Sequence, residues 1–181
     1  MHRIYQLFPA LAHRAFFCFI IGQTISMLGQ WMQRLAMSWL VFRLTKSAFL
    51  LSIVEFMSLA PILVFGLMAG AWLERHDLRK ALITTQILCM LESALLTFFT
   101  FTDTVSYPLL VVLSLLLGII SSFDMTARQS SVSLMVTDQA AVKSAVALNS
   151  MAFNISKLVG PSIAGVAIYA WGEGICFLIA T

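Results

Sequence analysis

Charged side chains are scarce: Asp, Glu, Lys and Arg make up 10% of the 181 residues, against about one-quarter in a soluble globular domain. So little charge argues against an ordinary water-facing surface. Cysteine is equally sparse. Cys18, Cys89 and Cys176 are odd in number, lie in separate apolar stretches and show neither CxxC spacing nor nearby paired histidines, which excludes a disulfide framework and a zinc site. They read as small apolar fillers. His2, His13 and His76 fall at the terminus or in connections and read as solvated rather than as ligands. The sequence has no Walker loop, no HExxH, no GxSxG and no carboxylate pair at a catalytic spacing, so no enzyme, metal or cofactor is assigned. The eleven lysines and arginines are scattered between apolar runs and form no stripe beside aromatics, which excludes a nucleic-acid partner.

Apolar sequence is what the chain has in quantity, at 60% of its residues. About 20 such residues cross a hydrocarbon core of about 30 Å. The chain therefore reads as all-α, a single transmembrane domain over residues 1–181, with spans at 14–42, 48–73, 81–101, 107–123 and 142–169. A partial sixth, 174–181, is too short to cross. The first apolar run continues past Gly22 without a small-residue cleavage site, so it reads as a retained helix and not a signal peptide.

Basic residues favour the cytoplasmic side of a membrane. Arg3, Arg14, Arg75, Arg79, Lys80, Arg128 and Lys143 fall at the N-terminus or in the second and fourth connections, against Arg43 and Lys46 on the other face. The N-terminus is expected inside, with Tyr107 and Trp171 at the outer boundary and Trp72 at the inner one. Small residues let helices approach closely in lipid. Gly66 and Gly70 form a GxxxG, Ser114, Gly118 and Ser122 repeat at four, and Ala152, Ser156, Gly160 and Ala164 share one line. Pro61 and Pro161 each remove a backbone donor in mid-span and are kink candidates.

Polar groups inside spans are the functional candidates. Gln23, Ser26, Gln30 and Gln33 follow i, i+3, i+7, i+10 spacing and share one face of the first helix, with Arg34 beside them. Such a face either hydrogen-bonds to neighbouring helices or lines a hydrated substrate path. Glu55, Glu92 and Lys157 lie inside the second, third and fifth spans, where an ionisable group either pairs as structural glue or carries function. An unpaired carboxylate there is a candidate proton carrier. Glu92 lies deeper in its span than Glu55 and is the stronger of the two.

The second connection reads Gly70-Ala-Trp-Leu-Glu74-Arg75-His-Asp77-Leu78-Arg79-Lys80, which resembles the loop signature of the major facilitator superfamily, with Glu74 where Asp is usual and Leu78 where a basic residue is common. Two further segments, Gly29 to Thr45 and Phe123-Asp124 through Arg128-Gln129 followed by Ala147 to Gly165, resemble the bacterial exporter branch related to enterobactin and macrolide efflux proteins. Gly160-Pro161-x-x-Ala164-Gly165 is similar to the superfamily's fifth-helix antiporter motif, with Ala164 where a second glycine often stands. Thr126 replaces a proline common in the fourth connection, which holds Asp124 and Arg128, and Lys157 replaces the more usual arginine.

The resemblance implies the N-terminal half of a twelve-helix transporter, cut inside its sixth helix, in which two six-helix halves rock about a central site. It implies that the loop acid caps a helix end in the other half. It further implies proton-driven export of small amphipathic molecules of the drug or siderophore class. Gln23, Ser26, Gln30, Gln33, Arg34, Asn149, Asn154 and Lys157 would line the substrate path. The expected partners are the lipid bilayer, a small-molecule substrate, and a missing C-terminal half or another membrane chain, and the expected location is the bacterial inner membrane. The alternative is a non-transporting remnant or a module that docks on another membrane protein.

Overall fold

The computed structural model describes residues 9–12, 14–135 and 139–181. Arg3, His2 and His13 lie outside them. After a single 3-10 turn at Pro9–Ala12 come α1 (Arg14–Thr45), α2 (Ala48–Leu73), α3 (Leu78–Phe101), α4 (Tyr107–Met135), α5 (Gln139–Trp171) and the short α6 (Glu173–Ala180). No strand occurs among the described residues.

Four helices, α2 to α5, are long and apolar enough to cross a membrane by length and composition. The first helix is not among them, although it has 32 residues, about 48 Å at 1.5 Å per residue. Its glutamines and Arg34 dilute an otherwise apolar sequence. The outer surface is apolar, as lipid requires: Leu63 is 83% exposed and Leu67 87%.

The connections are short and capped. Ser47 accepts a hydrogen bond from the Leu50 amide at the start of α2, and Lys46 makes the tight link from α1 in the left-handed region, with φ 49°. Asp77 caps α3 by accepting from the amides of Arg79 and Lys80. The fourth helix runs on past the expected boundary at 123 to Met135. Asp124 and Arg128, expected in the fourth connection, lie inside it as a buried i, i+4 ion pair, so their charges are answered without ending the helix.

Packing is most extensive between α2 and α4 and between α1 and α5. A Cβ on Gly118 would stand 2.6 Å from the Ser58 carbonyl oxygen and 3.1 Å from that of Met57, so α4 meets α2 where Pro61 interrupts the backbone ladder. On the other side Ala152, Ser156, Gly160 and Ala164 are all buried, and a Cβ on Gly160 would stand 2.7 Å from the Trp31 Cβ. The expected GxxxG contact does not form. Nothing among the described residues lies within 4 Å of a Cβ on Gly66 or Gly70, and both are half-buried. The short α6 docks rather than dangles: Cys176 and Phe177 are fully buried, and the Phe177 carbonyl accepts from Ser93 at 2.8 Å.

Candidate functional site

Gln23, Ser26 and Gln33 on the polar face of α1 reach between them α3, α4 and α5. Gln23 donates to Asn149 of α5 at 2.7 Å. Ser26 donates to Gln86 of α3 at 3.0 Å and accepts from Arg128 of α4 at 3.1 Å. Gln86 in turn donates to Asp124 at 3.0 Å, and Asp124 accepts from Arg128 Nε at 2.6 Å, which closes a ring of hydrogen bonds across α1, α3 and α4. Thr85 adds a further donor to Asp124. Each charge in this ring is answered, so it acts as a fixed joint.

Gln33 donates to Glu92 of α3. Gln30 is half-buried and has no hydrogen-bond partner among the described residues. A cavity of about 780 Å³ lies between α1 and α3, and Gln23, Ser26, Gln86 and Arg128 are among its lining residues while Gln30 and Gln33 are not.

The ionisable residues of the spans separate into paired and unpaired. Arg34 donates twice to Glu55 Oε2, at 2.8 and 3.2 Å, and Ser38 donates to Oε1 at 2.6 Å, so both carboxylate oxygens are occupied. Three carboxyl groups are buried among the described residues: Glu92, Asp124 and Glu173. Asp124 is paired with Arg128, and Glu173, at the start of α6, with Arg43 near the end of α1. Among the described residues Glu92 faces no cation. It is 4% exposed, holds only the amide of Gln33, and its Oε1 is without a partner.

A second cluster lies on the open side of α1, α2 and α5. Arg34 stands 5.6 Å from the centre of the Trp31 ring and Lys157 of α5 stands 5.8 Å from it, while Phe153 meets the same ring edge-on. Asn154 is exposed and donates back to Ser150 of its own helix. Trp31, Gln86 and Glu173 carry no mark in the sequence beyond being polar or aromatic in an apolar setting. Their partners lie on other helices, and spacing along one helix cannot show that.

The loop residues Glu74, Arg75, Asp77, Arg79 and Lys80 are exposed, and among the described residues Glu74 makes no ion pair. Trp72 stacks on His76 at 4.0 Å beside this turn. In the antiporter-like segment Gly160 and Ala164 pack inward, Pro161 is half-buried, and a Cβ on Gly165 would meet nothing within 4 Å.

The sequence profile of the family described as transmembrane secretion effectors matches residues 6–181. The chain is 28% identical over 170 residues to the staphyloferrin A transporter of Staphylococcus aureus, covering 90% of this chain and 43% of that one. It is 24% identical over 156 residues to macrolide efflux protein A of Streptococcus pyogenes, covering 86% of this chain and 38% of the relative. It thus spans about two-fifths of the length of these curated relatives. No solved structure matches it.

Proposed function

This chain belongs to the transmembrane secretion effector family, whose members are major-facilitator membrane transporters and not enzymes, and we propose that it supplies the first-half helices of a secondary exporter coupled to the proton gradient. Its cargo would be small amphipathic molecules of the drug or siderophore class, and its setting the bacterial inner membrane with the N-terminus cytoplasmic.

One observation supports coupling above the others. Asp124 and Glu173 each keep an arginine, whereas Glu92 is buried with one oxygen unpartnered and no cation beside it among the described residues. An isolated ionised carboxylate in such a place is costly, which favours the neutral, protonated form and makes Glu92 the acid whose loss of a proton would need a change in its surroundings. Gln33 ties Glu92 to α1, so protonation of Glu92 would be felt by the helix whose Trp31 and Arg34 stand at the open face.

That open face supports the half-transporter reading. Arg34, Glu55, Asn154 and Lys157 are at least partly exposed within helices whose other exposed side chains are largely apolar, and polar groups facing hydrocarbon are unfavourable. A second half enclosing a water-filled path would satisfy them. Glu74, exposed and without an ion pair among the described residues, is placed to meet a helix end of that half.

The test is a chimaera in which this chain replaces the matching portion of the Staphylococcus aureus relative, reconstituted in proteoliposomes and loaded with a fluorescent amphipathic dye. Gradient-driven efflux is expected with the wild-type segment and is expected to vanish with Glu92→Gln. Undiminished efflux by the Glu92→Gln chimaera would remove Glu92 from the coupling role.

A further inference from the structure

The charge on the open face does not cancel. Arg34 is answered by Glu55, which accepts from both Nε and Nη2. Lys157, exposed on α5, has no carboxylate partner among the described residues, and its only near neighbour of opposite character is the π-face of Trp31 at 5.8 Å. A ring face attracts an ammonium without neutralising it. The face therefore keeps one positive charge beside an aromatic floor built from Trp31 and Phe153, whose rings meet at 5.8 Å and 72°.

This arrangement is held from behind. The close approach of α5 to α1 is possible because residue 160 is glycine, since a Cβ there would stand 2.7 Å from the Trp31 Cβ and 3.1 Å from the Leu28 carbonyl oxygen. Lys157 is three residues earlier on the same side of α5, and Phe153 four residues before that. The glycine thus sets both Lys157 and Phe153 against the indole ring.

We propose that the face shared by α1, α2 and α5 binds an anionic aromatic or amphipathic ligand, its apolar body on Trp31 and Phe153 and its carboxylate or sulfonate group on Lys157. A cation of the same shape is rejected there, because it would meet Lys157 with no free carboxylate to receive it. This assignment rests on reading the open face as part of the transport path, and it adds the sign of the cargo's charge.

The test uses two probes of one shape and opposite charge, 2-naphthalenesulfonate and 2-naphthyltrimethylammonium, in equilibrium dialysis against the 181-residue chain in phosphatidylcholine nanodiscs, with empty nanodiscs as the blank. Saturable binding of the sulfonate above the blank is expected, with the ammonium bound no better than the blank. Lys157→Gln should weaken sulfonate binding roughly tenfold or more, Lys157→Arg should retain it, and Lys143→Gln, a distant exposed cation, should leave it unchanged. Gly160→Ala should weaken it while leaving the charge of Lys157 intact. No saturable sulfonate binding, equal binding of both probes, or an unaltered affinity in Lys157→Gln would overturn the proposal. Efflux by the chimaera separates the two readings: loss in Glu92→Gln beside a preference for the ammonium leaves transport standing and removes the anion site. Saturable, Lys157-dependent sulfonate binding beside efflux indifferent to Glu92→Gln does the reverse.

Discussion

Glu55 and Glu92 are the same side chain in consecutive apolar helices, and they differ in what faces them. Arg34 and Ser38 occupy both oxygens of Glu55, while Glu92 has one amide and an idle oxygen. The sequence marks both as intramembrane acids, and depth favours Glu92. It could not show that Arg34 would turn to Glu55, because that pairing depends on how the α1–α2 hairpin closes. The Arg43–Glu173 pair was hidden for the same reason, with Glu173 tucked between two glycines where α5 gives way to α6.

The difference between the arginines is measurable. Arg34→Ala leaves a half-exposed Glu55 that water can reach, and is expected to cost about 1 kcal/mol. Arg43→Ala strands a Glu173 that is 4% exposed, and is expected to cost about 3 kcal/mol. Thermal unfolding in detergent should therefore place Arg43→Ala well below Arg34→Ala, and equal melting temperatures would contradict the ranking.

At the scale of the helix, the small-residue lines were legible where they face a partner. Gly118 and Gly160 sit on stripes that repeat at four, and both mark close crossings. Gly66 and Gly70 have the same spacing and no neighbour within 4 Å of a built Cβ, since spacing fixes a face but not what the face meets. Gly118→Ala drives a methyl into backbone of α2 and is expected to destabilise by about 1–3 kcal/mol. Gly66→Ala and Gly70→Ala are expected to stay within about 0.5 kcal/mol of the parent. Unfolding of the three variants side by side checks this, and a tolerated Gly118→Ala would contradict the crossing. The sequence understates the length of α4 because Asp124 and Arg128 look like loop charges, whereas in the helix they neutralise one another and bind α1 and α3.

For the whole molecule, the family, the all-helical bundle and the order of helices were legible, because composition and the loop motif both survive without knowledge of contacts. The open face was not, since it is defined by what α1, α2 and α5 leave uncovered together. The proposed orientation rests on the basic residues and puts the 74–80 turn in the cytoplasm and Lys46 outside. In a background without Cys18, Cys89 and Cys176, Arg75→Cys should resist an impermeant thiol reagent applied to intact cells, and Lys46→Cys should react. Arg75 is the better probe because Asp77 caps α3. The reverse pattern would invert the topology.

An alternating-access path needs two halves that move against each other around an enclosed site, and here one bundle leaves Arg34, Trp31 and Lys157 on an open side. Efflux of a fluorescent amphipathic dye under an imposed proton gradient tests this most directly, with the isolated chain and the chimaera carrying the relative's second half reconstituted in parallel. The chimaera is expected to empty its dye and the isolated chain to retain it; robust gradient-dependent efflux by the isolated chain would contradict the assignment of these helices to one half of a transporter.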